Sequence, residues 1–472
     1  MHKSKLLDLL RAMSEEERSS LTPYLEYQLA LSKISEAAIL LYDYVQKHLG
    51  HEDALHKEKA WTALFRDEPF RDTRLRKIMH ELNQASQEFL IYQELSAKQQ
   101  LQRQAGLELF WSKGLSKHYR SLERQTLNYF DHESLRDEQN HLEQAQYYDL
   151  AYRRAERVTK RPQLATLLRQ KDFHLEAYYY IEKLRNYCNS ISNRVFFSLE
   201  GEELSLPEGF LDRVAASPQA QEIGVRMYLS IARMLENPGE TQWFQLVKQL
   251  LKESFHHFGL DEQDNLYIFL KNYCIGYQIN QGNSQYFHEL FELSRTLLDK
   301  GITQRNGVIT PQAYKNIITV GLHVQAFDWT EQFIRDFTAL LPEEERHNAL
   351  NYNLAKVFFT RGDYPRVIEQ LREVAYANHT YALGSKLMLL KTYYELGEDR
   401  ALDSLIDSFR IYLRRNRTIS RDVRQQYRNV LRFVRKLFYL PPQSTEARAK
   451  LHKEVASCEP LADKAWILSK LD

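Results

Sequence analysis

Five arginines, Arg421, Arg424, Arg428, Arg432 and Arg435, recur at intervals of 3, 4, 4 and 3 residues near the end of the chain. On an α-helix, which turns about 100° per residue, this spacing gathers them into one stripe roughly 80° wide. Guanidinium forks donate hydrogen bonds in pairs, so such a stripe suits carboxylates or phosphates. The surrounding residues 410–436 hold ten basic side chains and one acid, Asp422. Val423, Tyr427, Val430, Val434 and Leu437 form a separate apolar stripe, so one face would dock while another presents cations. Two readings compete: the solvated face of a capping helix, which a solenoid needs at its ends, or a surface for an acidic peptide, nucleic acid or anionic ligand.

A second cluster lies near the start. Arg71, Arg74, Arg76 and Lys77 open a long predicted helix that follows a shorter one at 57–65. This is the layout of a helix-turn-helix whose second helix enters the major groove, and it makes these four residues candidate DNA contacts. Against it, residues 1–100 carry 14 Lys/Arg and 16 Asp/Glu, a poor match to phosphate. Plain helical packing is the competing reading.

Motifs for other chemistry are missing. No phosphate loop, dinucleotide-binding, nucleophile-elbow or HExxH pattern occurs. His256 and His257 are adjacent, which on a helix sends them about 100° apart and away from a shared metal. Asp261 to Asp264 lacks the alternating ligands of a calcium loop and fits a helix start. Tyr178, Tyr179 and Tyr180 would face three directions and so form no aromatic cage. The expectation is a protein that is not an enzyme, with no catalytic residues, no metal and no cofactor.

The elements that must carry these residues are helical. The chain has 472 residues, 43% of them apolar, with only 16 Gly and 12 Pro. Long side chains with few breakers favour helix. Lys+Arg (64) and Asp+Glu (63) cancel, so net charge draws the chain to neither nucleic acid nor membrane. Cys188, Cys274 and Cys458 are scattered, the N-terminus shows no signal-peptide core, and no stretch is long and apolar enough to span a bilayer. A cytoplasmic location without membrane contact is expected.

A turn pattern recurs in the second half. Around Gly362 apolar residues fall at Leu354, Phe358, Val367 and Leu371; around Gly397 they fall 35 residues later at Leu389, Tyr393, Leu402 and Ile406. Arg361-Gly362-Asp363 thus reads as a helix stop and a helix start, with Gly362 ending one helix and Asp363 capping the next. Further turns at Gly239, Gly282 and Ala326 extend the series at intervals of 43, 44, 36 and 35 residues. A 34-residue helix–turn–helix period marks tetratricopeptide repeats. Ala355 fits the small-residue slot of such a repeat and Leu390 does not. In such a stack the first helix of each pair lines a concave face. Candidate groove positions there are Asn316, His323, Asn351, Asn353, Lys386 and Lys391, with asparagines to clamp a peptide backbone and lysines to hold a carboxylate.

The stretches "MHKSKLLDLLRAMSEEE", "LHKEKAWTALFRDEPFRDTRLRKIMHELNQASQEFL", "AFDWTEQFIRDFTALLPEEERHNALNYNLAKVFF" and "LLKTYYELGEDRALDSLIDSFRIYLRRNRTIS" resemble an uncharacterised bacterial family of tetratricopeptide-repeat-like helical proteins. The resemblance spans most of the chain. It implies a cytoplasmic helical-repeat protein and brings no activity, substrate or site residue.

The expected fold is therefore all-α: an N-terminal helical bundle or array, then a tetratricopeptide-like α-solenoid with a C-terminal capping helix. The expected divisions are an N-terminal helical domain at 1–130, a helical hairpin region at 131–197, an acidic linker at 198–219, the solenoid at 220–440, and a tail with a short helix at 441–472. The expected function is a non-enzymatic scaffold or adaptor that binds a peptide or protein on the concave face and an acidic partner on the arginine stripe. The alternative is a nucleic-acid-binding transcriptional regulator, with the helix-turn-helix-like segment at 57–95 and the repeats as sensor.

Overall fold

A computed structural model describes the chain apart from residues 2, 67, 133–134, 158–160, 198–203, 375–378 and 442. Every regular element among the described residues is helical, which establishes the all-α class. Packing divides the chain into two compact units, Met1–Tyr178 and Tyr179–Asp472. The dividing line falls inside the helix Arg161–Phe197. The acidic stretch expected as the boundary lies later and partly outside the described residues; from Leu204 it continues without regular structure into the helix Phe210–Ala216.

In the first unit, Ser14 and Glu17 exchange hydrogen bonds with each other's backbone, a reciprocal capping box that starts the helix Glu15–Ala30. The helix Asp72–Ala97 places Leu75, Ile78, Met79, Leu82, Ala85 and Phe89 on one face by their three- and four-residue spacing. That face closes a core with Leu7, Leu21, Leu41, Tyr42 and Trp61 from the four α-helices before it. Two helices follow, Gln99–Ser112 and Ser116–His132, separated by a turn at Gly114. With Glu138–Arg157 they share a smaller core around Leu107, Tyr119 and Leu150.

In the second unit consecutive helices pair across short turns: Ile223–Glu236 with Thr241–Ser254, Leu260–Asn272 with Tyr286–Asp299, Pro311–His323 with Phe327–Phe337, Glu343–Arg361 with Tyr364–Arg372, and His379–Leu396 with Asp399–Arg415. Gly362 sits at φ +85°, a left-handed conformation that side-chain-bearing residues reach only at a cost, and ends its helix. The next amide, of Asp363, closes the turn on the Phe358 carbonyl at 2.9 Å. The turn expected at Ala326 has the same closure, but Gln325 takes the left-handed position at φ +58°. Asp363 does not cap: its carboxylate faces Arg366 at 3.8 Å and makes no hydrogen bond to the helix start. Arg361 pairs with Asp328 on the preceding pair, so the Arg-Gly-Asp tripeptide is consumed in packing.

The 35-residue register holds best on second helices, where Val367, Leu371, Leu402 and Ile406 are all fully buried. On first helices it loosens: Leu354 and Phe358 are buried, while Leu389 and Tyr393 are half-buried. First helices of adjacent pairs come close at Gly384, where a Cβ atom would stand 2.6 Å from the Tyr352 hydroxyl oxygen.

The tail expected at 441–472 has more structure than a short helix. Thr445–Ser457 and Lys464–Ser469 both pack on the helix Arg421–Phe438, and Leu451, Val455, Ile467 and Leu471 join its core. The arginine-bearing helix is therefore covered rather than terminal, and the last two helices cap that end of the unit.

Candidate functional site

The first helices bring polar side chains to a hollow of about 570 Å³ within the second unit. Its walls come from Leu260–Asn272 and the turn after it, from Tyr286–Asp299, and from Pro311–His323. Ile275, Ile279, Phe287, Leu290 and Ile317 supply apolar lining, and Lys271, Ser294, Asn316 and Thr319 supply polar groups. Among the described residues no acid lines it.

Local chemistry explains the shape of one wall. The helix Leu260–Asn272 runs into a π-helical turn, Tyr273–Gln278, with one more residue per hydrogen-bonded ring than an α-helix. Tyr273 donates its hydroxyl to the Pro238 carbonyl at 2.8 Å, and the Gln278 amide donates to the same carbonyl at 3.0 Å and to the Tyr273 oxygen at 2.8 Å. This network pins the wide turn, and Ile275 and Ile279 line the hollow. π-turns of this kind are frequent at functional sites.

Lys271 carries the charge of the hollow. Burial holds its ammonium below the ordinary lysine range, and Asp264 draws it back only in part. Lys356, on the next first helix, donates to the Thr319 hydroxyl at 3.4 Å at the margin of the hollow. Burial lowers Lys356 as well, with Lys315 adding like-charge repulsion. None of these three lysines forms an ion pair among the described residues, so positive charge gathers here within a nearly neutral chain.

The six groove positions read from the sequence separate. Asn316 lines the hollow and accepts from Gln312 at 2.8 Å. His323 is exposed and stacks on Phe287, a lining residue, at 3.6 Å between ring centres. Asn351 and Asn353 are only 8% and 7% exposed. Their amides donate to carbonyls of their own helix, His347 at 3.0 Å and Ala349 at 2.7 Å, so neither is placed to clamp a peptide. Lys386 lies over the Tyr412 ring at 5.2 Å, on the second helix of its own pair. Lys391 is paired with Asp463 at 2.7 Å and lies between the rings of Phe359 and Trp466, at 4.8 and 5.2 Å. The C-terminal segment thus already occupies that position. Sequence reasoning missed Lys271, Lys315, Thr319 and Lys356.

The arginine stripe is also divided. Arg424 turns back to the carbonyls of Asn416 and Ile419, at 3.3 and 3.0 Å. Arg435 pairs with Asp403 at 3.2 Å, and Arg432 reaches the Cys458 sulfur at 3.7 Å. Arg421 and Arg428 stand exposed. The expected apolar stripe does face inward, with Val430, Val434 and Leu437 buried.

In the first unit Arg74 pairs with Glu68 at 2.8 Å and lies over the Phe65 ring at 4.2 Å. Arg76 and Lys57 share Asp72, at 2.7 and 2.6 Å. Arg71 is the residue just before the long helix, and Lys77 is exposed. His141 and His174 form a buried pair, Nδ1 to Nδ1 at 3.0 Å, with Tyr148 stacked on His174. Burial and the neighbouring Arg136 keep both neutral, His141 at about 3 and His174 at about 4. Among the described residues no group of three His, Cys, Asp or Glu is placed to hold a metal ion. No described helix is long and apolar enough to cross a membrane.

The chain matches no protein-family model, no curated protein and no solved structure.

Proposed function

We propose that this chain is a non-enzymatic interaction scaffold. Its C-terminal helix pairs stack as a tetratricopeptide-like α-solenoid, and an acidic segment of a partner protein lies along the first helices. One observation carries the reading: Lys271, Lys315 and Lys356 come from three consecutive first helices and are not spent on ion pairs among the described residues, while Lys271 lines a hollow without acids and Lys356 bonds Thr319 of its lining. Half-buried cations such as Lys271 and Lys356 carry a desolvation cost that a carboxylate from a partner offsets. A cytoplasmic setting fits three thiols kept free of disulfides.

The test uses the full chain and a labelled peptide alternating glutamate with leucine, followed by fluorescence anisotropy. Saturable binding is expected, weaker at ~200 mM than at ~50 mM salt. Lys315→Glu with Lys356→Glu should lower affinity at least about tenfold, the scale of one charge-assisted contact. Equal binding by wild type and double variant would sink the reading. A duplex or single-stranded oligonucleotide in the same assay tests the alternative of a nucleic-acid-binding regulator. Nothing in the structure favours that reading at 57–95, where Arg74 and Arg76 are already paired.

A further inference from the structure

The geometry points to the hollow beside Lys271 as a small-molecule site, one that takes a carboxylate-bearing amphiphile with its apolar body on Ile275, Phe287 and Ile317 and its carboxylate on the Lys271 ammonium. This goes beyond the scaffold reading and does not depend on it. At about 570 Å³ the hollow falls within the range that holds small organic ligands, roughly 300–1,000 Å³. It has their usual construction as well, an apolar lining with a few convergent polar groups.

The class of ligand follows from what lines the walls. The one charged lining residue among the described residues is a cation. Lys271 is half-buried and not ion-paired among the described residues, and Asp264, two turns earlier on the same helix, only partly compensates it. A neutral apolar ligand would leave that ammonium uncompensated in a drier site, and a cation would be repelled. An anion with an apolar body satisfies both parts of the lining. Asn316, also in the lining, accepts from Gln312 through its oxygen and keeps its amide N–H groups for a second carboxylate oxygen or an ordered water, whereas the Thr319 hydroxyl is spent on the Lys315 carbonyl at 2.8 Å. Location adds to the case: the hollow adjoins the pinned π-turn Tyr273–Gln278, a kind of turn frequent at functional sites.

Isothermal titration calorimetry of the full chain with octanoate, and with 1-octanol as the uncharged control, tests this. One saturable octanoate site is expected, with octanol at least about tenfold weaker. Lys271→Met should cut octanoate affinity about tenfold or more and erase the preference over octanol. Ala313→Leu, on the opposite wall, should reduce both ligands by filling the hollow, and it keeps the test alive should the Lys271 variant misfold. Ala313→Leu should leave the acidic peptide bound, whereas Lys315→Glu with Lys356→Glu should lose the peptide and keep octanoate. Absence of saturation, or equal octanoate affinity in wild type and Lys271→Met, overturns the small-molecule site. If the acidic peptide still binds in that event, the scaffold reading stands and the hollow is an anchor for partner side chains.

Discussion

In the first unit Arg74 answers to Glu68, and Arg76 and Lys57 divide Asp72 between them. The titratable pair it buries, His141 with His174, is neutral. In the second unit Lys271 and Lys356 are held half-buried, depressed by desolvation, with no carboxylate in ion-pair contact among the described residues. A basic cluster in sequence is therefore no measure of available charge. Arg74 and Arg76 stand out as a cationic patch in the sequence, yet both are already paired. The lysines carry the unmet electrostatic demand because, among the described residues, no acid lines the hollow and Lys356 meets a threonine there.

Acid is the sharpest way to break this contrast. Each histidine of the pair has a folded-state pKa below the ordinary value near 6.5, so the unfolded chain takes up protons that the fold refuses. Stability is intact above pH 6.5. It is lost as pH falls toward about 4 for His174 and about 3 for His141, by on the order of several kcal/mol in total. Urea unfolding between pH 7 and 4, with amide exchange read on the helix Glu138–Arg157, should show this loss in the first unit. His141→Gln with His174→Gln should flatten that pH dependence relative to wild type; an unchanged slope would remove the pair as its source.

Next in size is Lys391→Met, which leaves Asp463 without its cation under the C-terminal segment. A loss of about 1–2 kcal/mol in thermal unfolding is expected, as for a charge-assisted contact with one partner removed. The smallest effects separate the two kinds of cation most directly. Lys271→Met should stabilise by up to about 1 kcal/mol, since it removes a poorly compensated charge. Arg74→Met, at an exposed pair, should cost less than about 1 kcal/mol. If Lys271→Met is the more destabilising of the two, the lysine is structural and the contrast between the units fails.

Much of the architecture was legible because it rests on local periodicity. The capping box at Ser14, the helix at 57–65 and the stop at Gly362 all follow from neighbouring residues. The site was less legible because it depends on which way each helix is rotated. Asn351 and Asn353 are two apart, about 200° around a helix, so they could not both face one groove. That much could have been seen from spacing, as could Lys315 and Thr319, which share a face at i and i+4. The hollow beside Lys271 could not, because its lining comes from side chains up to 49 positions further along the chain. The division of the arginine stripe was likewise hidden, since Arg435 meets Asp403 from the preceding pair.

The π-turn at Tyr273–Gln278 takes up one residue more than an α-helical turn would. Deleting one residue there would return the segment to ordinary α-helical pitch and leave Ile279 in step with Lys271, because the wide ring absorbs the rotation of the extra residue. The wall would lose its bulge and keep the faces on either side of it. In any related sequence, a one-residue gap at this point would mark a protein with the same helix pairs and a reshaped wall.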